Sequence, residues 1–485
     1  MSVSYVSTRG AAEPLDFAEV LLAGLARDGG LYVPDQVPPL VDSWETVAAQ
    51  GYVAAAVEVM WPFVAGSFER DEFAALVADA YATFRHPDVV PVRELEPGLY
   101  LAELFWGPTL AFKDVALQLV GRLFDRELAR RGERVTVVGA TSGDTGSAAI
   151  EALRDRAAVD VFILHPHGRV SDVQRRQMTT VDAANVCNVA IDGTFDDCQD
   201  LVKALFADEP FRDEVGLSAV NSINFARVLA QIVYYVTAAA AVRARSGRAV
   251  PVGYAVPTGN FGNIYAGHLA RRMGLPVHTL VVASNRNDIL TRFWSGGTLR
   301  AETVVPTLSP SMDIQVSSNL ERLLWELLGR DGEAVTDLLG RFRHEGTASL
   351  DAERFAALRE GYAAFRCDDE ATLAVMAQAH ERYGVLLDPH SAVGLDAALR
   401  HGFSPERPLV VLATAHPAKF PDAVRQATGA DAALPEHLAD LHDRPERVTR
   451  LPADLEAVQR LVRARSRATT PGSDAGAAPS PPGCD

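Results

Sequence analysis

Only three lysines occur among the 46 basic residues of this chain: Lys113, Lys203 and Lys419. Arginine fills every other basic position, as it can wherever a solvated positive charge suffices. It cannot replace lysine where a neutral amine must attack a carbonyl, because guanidinium does not deprotonate in proteins. Placement then separates the three. Lys113 ends the run Gly107-Pro108-Thr109-Leu110-Ala111-Phe112-Lys113-Asp114 and opens an amphipathic helix predicted over 115–131. Its apolar approach lowers an amine's pKa by desolvation, which suits a nucleophile. Lys203 reads as a leftover surface charge.

Two glycine-rich turns are the next candidates. Thr141-Ser142-Gly143-Asp144-Thr145-Gly146 follows a predicted strand at 135–139 and precedes a helix expected near Ser147. Thr258-Gly259-Asn260-Phe261-Gly262-Asn263 follows a predicted strand at 250–256 and precedes a helix running through Arg272. Glycines let the backbone turn tightly, and the first turn of a helix offers unpaired N–H groups at a positive dipole end. Strand, glycine loop and helix therefore suit an anion, although the same pattern also serves as a plain structural turn. Neither loop fits a Walker motif or Gly-x-Gly-x-x-Gly, so nucleotide readings fall away. Two such turns suit a ligand pair with two anionic groups.

The last clear strand, 409–413, runs into Thr414-Ala415-His416-Pro417-Ala418-Lys419-Phe420. Ligands of open α/β sheets sit at the carboxyl ends of strands, where Thr414 falls. His416 and Lys419 either face the same cleft or stabilise the turn. His165-Pro166-His167 lacks further ligand spacing, and no metal is expected.

Together these pieces resemble a known family. Gly-Pro-Thr followed by Phe-Lys-Asp is similar to the Schiff-base segment of threonine synthases, pyridoxal-phosphate enzymes of the tryptophan-synthase-β-like fold (fold type II). Ser7-Thr8-Arg9-Gly10 and Asp28-Gly29-Gly30-Leu31-Tyr32-Val33-Pro34 resemble the N-terminal segment of the longer type. Asn221-Ser222-Ile223-Asn224 with Arg227 and Gln231, and Ser309 to Ile314, are further matches that read as substrate contacts or helix caps. The resemblance runs from about Tyr5 to Phe420.

It implies that Lys113 binds pyridoxal 5'-phosphate and acts as the catalytic base. Gly259, Asn260, Phe261, Gly262 and Asn263 would cradle the cofactor phosphate, and Thr414 would face the pyridine nitrogen. Asp144 would face the ring hydroxyl, where many members of the fold carry asparagine. A carboxylate there cannot donate a hydrogen bond unless protonated, so its role stays open. Ser142 and Thr145 would take the substrate carboxylate. The implied substrate is O-phospho-L-homoserine, converted with water to L-threonine and phosphate by γ-elimination and β-addition of water. Loose candidates for holding the departing phosphate are Lys419, Arg169 and Arg227. A phospho-lyase or dehydratase of the same fold is the nearest rival. A regulatory amino-acid binder is another, which the intact Lys113 speaks against.

The rest of the chain must position these residues. At 485 residues, 48% hydrophobic and 22% charged, it has room for two or three globular domains. A net charge of −17 argues against a nucleic-acid surface. Cys187, Cys198, Cys367 and Cys484 show no paired spacing, which suits a reducing compartment. No charged-then-apolar N-terminus marks a signal peptide, and the apolar run 228–242 is too short to span a bilayer. A cytoplasmic enzyme is expected, a monomer rather than a dimer, with no membrane or nucleic-acid partner. The fold class is α/β: a helical N-terminal domain over 1–95, with helices near 15–25 and 44–64, and two parallel-sheet domains. The smaller covers 96–240 with Lys113 at its entry, the larger covers 241–465, and 466–485 forms a disordered tail.

Overall fold

The computed structural model describes residues 3–218 and 221–468. Most of the expected tail, with Cys484, lies outside the described residues. The chain forms two compact α/β units, Met1–Ala116 with Ser222–Ala433, and Leu117–Asn221 with Leu434–Asp485. Boundaries drawn along the sequence run consecutively, whereas these units interleave. The reason lies in strand pairing: Leu99–Glu103 pairs in parallel with Leu409–Ala413, and Val186–Asp192 with Thr449–Pro452.

The first unit holds a six-stranded sheet in the order Tyr362–Arg366, Val277–Ser284, Val252–Pro257, Leu409–Ala413, Leu99–Glu103, Val92–Glu96. All neighbours are parallel except the last pair, an antiparallel hairpin turned at Gly98. Strand Leu409–Ala413 is buried along its whole length, so it reads as an unbroken apolar run instead of an alternation. Helix Pro389–His401 packs on it and on Val252–Pro257. Replacing a core leucine such as Leu409 or Leu412 with alanine should cost about 2–5 kcal/mol.

The N-terminal part of this unit is mainly helical: Phe17–Ala23, Trp44–Ala49, Tyr52–Val64 and Arg70–Tyr81. The helix expected over 44–64 breaks at Gly51, whose φ of 109° few other residues adopt. Tyr5 ties these helices to Phe225–Ser246: its ring lies 5.2 Å from Phe225, and its hydroxyl donates to the Phe63 carbonyl at 2.8 Å. Helix Phe225–Ser246 outruns the apolar stretch read from sequence. By length and composition it could cross a membrane, yet 83% of its most apolar window is buried inside the protein.

The second unit holds a five-stranded, all-parallel sheet in the order Thr449–Pro452, Val186–Asp192, Val159–Pro166, Val135–Ala140, Leu217–Ser218. The central strand, Val159–Pro166, is buried at all eight positions. Ser466 and Arg467, expected in the tail, are instead held in place. The Ser466 and Thr136 hydroxyls share a hydrogen bond at 2.7 Å, and the Arg467 Nε donates to Asp160 at 2.7 Å.

Candidate active site

The lysine segment is fastened from three sides, all within the first unit. Asp114 folds back so that its carboxylate accepts from the Thr109 N–H at 2.8 Å and the Thr109 hydroxyl at 2.7 Å. That fold requires glycine at 107, where a Cβ would come within 2.4 Å of the Asp114 side chain. Lys419 is fully buried and its ammonium donates to the Thr109 carbonyl at 2.7 Å. The segment also lies along the end of strand Leu409–Ala413: Leu104 N–H donates to Ala413 O, Phe112 N–H to Thr414 O, and His416 N–H to Leu110 O. Leu110 takes a left-handed φ of 62°, an uncommon backbone for leucine that these bonds hold in place.

Lys113 thus opens helix Lys113–Arg131, buried, with its Nζ 4.9 Å from the centre of the Phe112 ring. That position sets its amine at the positive end of the helix dipole. Thr414 sits one hydrogen bond away along the backbone, and Ser391 fixes it further. The Ser391 hydroxyl accepts from the Thr414 N–H at 3.0 Å and donates to Asp388. Asp388 caps helix Pro389–His401 and accepts from His390 Nδ1 at 2.8 Å, while His390 Nε2 accepts from the Ser311 N–H at 3.2 Å. That pattern fixes the orientation of the His390 ring.

The loop from Gly259 to Asn263 lies in the same unit. Ser317 Oγ pulls the Gly259 carbonyl outward at 2.6 Å, and the Asn319 Nδ2 and N–H pull the Asn260 carbonyl at 2.8 and 3.1 Å. Across a trans peptide the following N–H points the opposite way. Among the described residues none of the N–H groups from Gly259 to Asn263 donates to another protein group. Phe261 has a φ of 62° and caps helix Gly262–Arg272, held by stacking on Trp294 at 5.7 Å. The buried Nδ2 of Asn263 also lacks an acceptor, although its Oδ1 accepts from Tyr234 and Tyr235.

The other loop belongs to the second unit. Thr141 Oγ1 accepts from the N–H groups of Gly143 and Gly146, at 3.0 and 2.9 Å, which uses two of its donors. Ser142 and Thr145 are half-buried, and among the described residues their N–H groups have no acceptor. Helix Asp144–Leu153 starts earlier than expected, so Asp144 occupies its first turn, where a negative charge is favoured. Asp144 Oδ1 accepts from Gln174 Nε2 at 2.8 Å, and Ser171 Oγ donates to Gln174 Oε1 at 2.9 Å.

Other candidates sort differently. Lys203 is exposed and pairs with Asp200 at 2.8 Å. His416 accepts from the Ala418 N–H as a local cap. Asn224 caps helix Phe225–Ser246 and donates to the Leu21 carbonyl at 2.8 Å. Arg169 is exposed in the second unit, while Arg227 is buried in the first and desolvation pulls its pKa down to about 10. Sequence reading missed Ser317, Asn319, Ser391 and Gln174. Asp388-Pro389 is a recognisable helix opening that pointed toward Ser391; the other three carried no local signal.

Residues 89–338 match the family described as pyridoxal-phosphate dependent enzyme, which defines the class. Residues 4–81 match the threonine synthase N terminus, and 391–462 the threonine synthase C-terminal family. The chain belongs to the threonine synthase family. It is 53% identical to threonine synthase of Pseudomonas aeruginosa over 463 residues, covering 94% of this chain and 97% of that one. The solved pyridoxal-phosphate-bound threonine synthase of Brucella melitensis superposes with a TM-score of 0.92 at 49% identity, covering 96% and 100% of the two chains. The yeast enzyme gives 0.90 at 38% identity, covering 95% and 98%. The residues present fit that cofactor: a buried amine, a threonine on the strand end to which its segment is bonded, and a loop whose N–H groups and Asn263 Nδ2 have no acceptor among the described residues.

Proposed function

We propose that the chain converts O-phospho-L-homoserine and water to L-threonine and phosphate with pyridoxal 5'-phosphate as cofactor. The observation that carries this is the backbone seam joining Phe112 to Thr414, which ties the segment of the buried Lys113 to the strand end that carries Thr414. When bound, the cofactor supplies an electron sink for the carbanion chemistry.

Lys113 holds the cofactor and then moves the proton at the substrate Cα, a task its neutral amine performs and guanidinium does not. The Thr414 hydroxyl answers the pyridine nitrogen without the negative charge that would keep that nitrogen protonated. The free N–H groups of Gly259 to Asn263 bind the cofactor phosphate. Ser142 and Thr145 bind the substrate carboxylate, and Asp144, kept an acceptor by Gln174, takes the hydrogen bond of the ring hydroxyl. Lys419 donates to the Thr109 carbonyl, and Arg227 and Arg169 stay among the candidate cations for the departing phosphate.

The test is product stoichiometry. O-phosphohomoserine, homoserine, O-phosphoserine and serine are each offered, and phosphate, threonine and keto acid are measured. Equal threonine and phosphate from O-phosphohomoserine alone is expected. Phosphate with 2-oxobutanoate and no threonine would mean a phospho-lyase, because the water-addition half would be missing.

A further inference from the structure

Arg322 is fully buried and the largest of the wholly enclosed side chains. Its guanidinium donates to the Tyr32 carbonyl at 3.0 Å, the Ile223 carbonyl at 2.6 Å and Asn319 Oδ1. All three acceptors are neutral. Among the described residues it makes no ion pair, and its chain neighbour Glu321 is taken by Arg9 at 3.2 Å. The Phe225 ring lies 5.9 Å away, and Tyr265 and Glu321 also act on the guanidinium electrostatically. A buried guanidinium bonded only to neutral groups is expensive, and Glu321, shared with Arg9, offsets it only in part.

What lies beyond Asn319 is the phosphate cradle. Arg322 holds the Asn319 carbonyl oxygen, so the amide Nδ2 must face the Asn260 and Ser222 carbonyls, at 2.8 and 3.1 Å. Anchoring the Asn260 carbonyl aims the Phe261 N–H to the opposite side. Guanidinium, amide and peptide form one line of donors, each polarising the next. Tyr32 brings the Asp28-to-Pro34 segment into the same line, and Thr8 and Arg9 both bond Glu321. The N-terminal motifs therefore brace the loop.

We propose that Arg322 is a positioning residue for the Gly259–Asn263 loop and supplies the buried positive charge that the bound cofactor phosphate neutralises. This rests on the reading that the loop holds that phosphate. It follows that the apoprotein carries a charge that Glu321, shared with Arg9, offsets only in part, and that Arg322 matters for phosphorylated ligands alone.

The experiment titrates apoprotein with pyridoxal 5'-phosphate and, separately, with pyridoxal, following visible absorbance, and records apoprotein melting. Arg322→Met should weaken pyridoxal phosphate about tenfold or more and leave pyridoxal unchanged. Arg322→Lys, which keeps the charge, should recover most of the loss. Asn319→Asp gives the guanidinium a carboxylate partner and guards against Arg322→Met failing to fold; its apoprotein should melt higher while pyridoxal phosphate binds at least tenfold more weakly. Equal losses for pyridoxal and pyridoxal phosphate would overturn the proposal, as would Arg322→Lys matching Arg322→Met. Gly262→Asp separates the underlying reading: a variant that still prefers pyridoxal phosphate over pyridoxal would show that the loop is not the phosphate site.

Discussion

At the scale of single residues, scarcity singles out Lys113. Arginine had replaced lysine wherever charge was enough, so placement decided among three survivors. The other two resolve on contact: Lys203 pairs in solvent, whereas Lys419 is a buried strap on Thr109. That second role was hidden, because sequence does not show which carbonyl a lysine will reach across 310 positions. Lys113→Arg should be as inactive as Lys113→Ala in the phosphate-release assay, since the site needs a deprotonating amine. Thr414→Val should behave differently. The backbone of Thr414, not its hydroxyl, bonds Phe112 and Ser391, so melting should stay within about 1 kcal/mol of the parent, while the cofactor spectrum changes and turnover slows. An unchanged spectrum and rate would remove the hydroxyl from the site.

At the scale of elements, strand–glycine–helix patterns marked both loops, because those turns are local. What orients each loop is not local. Ser317 and Asn319 reach Gly259 and Asn260 from nearly sixty residues away, and Gln174 reaches Asp144 from thirty. The two glycines of the cradle should therefore respond unequally. A Cβ at Gly259 would come within 2.7 Å of the Ser311 carbonyl oxygen, a backbone atom with little room to yield. Gly259→Ala should cost about 1–3 kcal/mol of stability, and pyridoxal phosphate retention on dialysis should fall with it. At Gly262 the nearest atom, Asn319 Nδ2, is 3.4 Å away, so Gly262→Ala should retain the cofactor. The same loss in both would contradict this account of the loop.

At the scale of the whole molecule, the alternation of strands and helices announced two parallel sheets, and both are present. Their composition was not legible, since the joining pairs, such as Leu99–Glu103 with Leu409–Ala413, close over three hundred residues. The antiparallel edge at Val92–Glu96 was missed for a simpler reason: alternating Arg93, Glu94 and Glu96 look like a loop. Burial also leaves a pH signature in the second unit. His165 is enclosed in its central strand, among the described residues neither ring nitrogen has a side-chain or backbone hydrogen-bond partner, and desolvation pushes its pKa down to about 4. Above about 6.5 the ring is neutral both folded and unfolded, with no effect on stability. Between about 6.5 and 4 the unfolded chain takes up a proton that the folded chain refuses. Stability should fall there by up to about 1.4 kcal/mol per pH unit from this group. His165→Gln should flatten that slope in urea unfolding measured from pH 7 to 4.5, and parallel curves would contradict it.

The central claim is that the site is built around Lys113. The direct measurement is borohydride reduction of the purified protein with its cofactor, followed by proteolysis and mass mapping of the pyridoxyl-labelled peptide. The account expects the label on Lys113 and on no other residue. A label on Lys419 or Lys203 would contradict it, since neither stands beside Thr414 in the way the backbone seam sets Lys113.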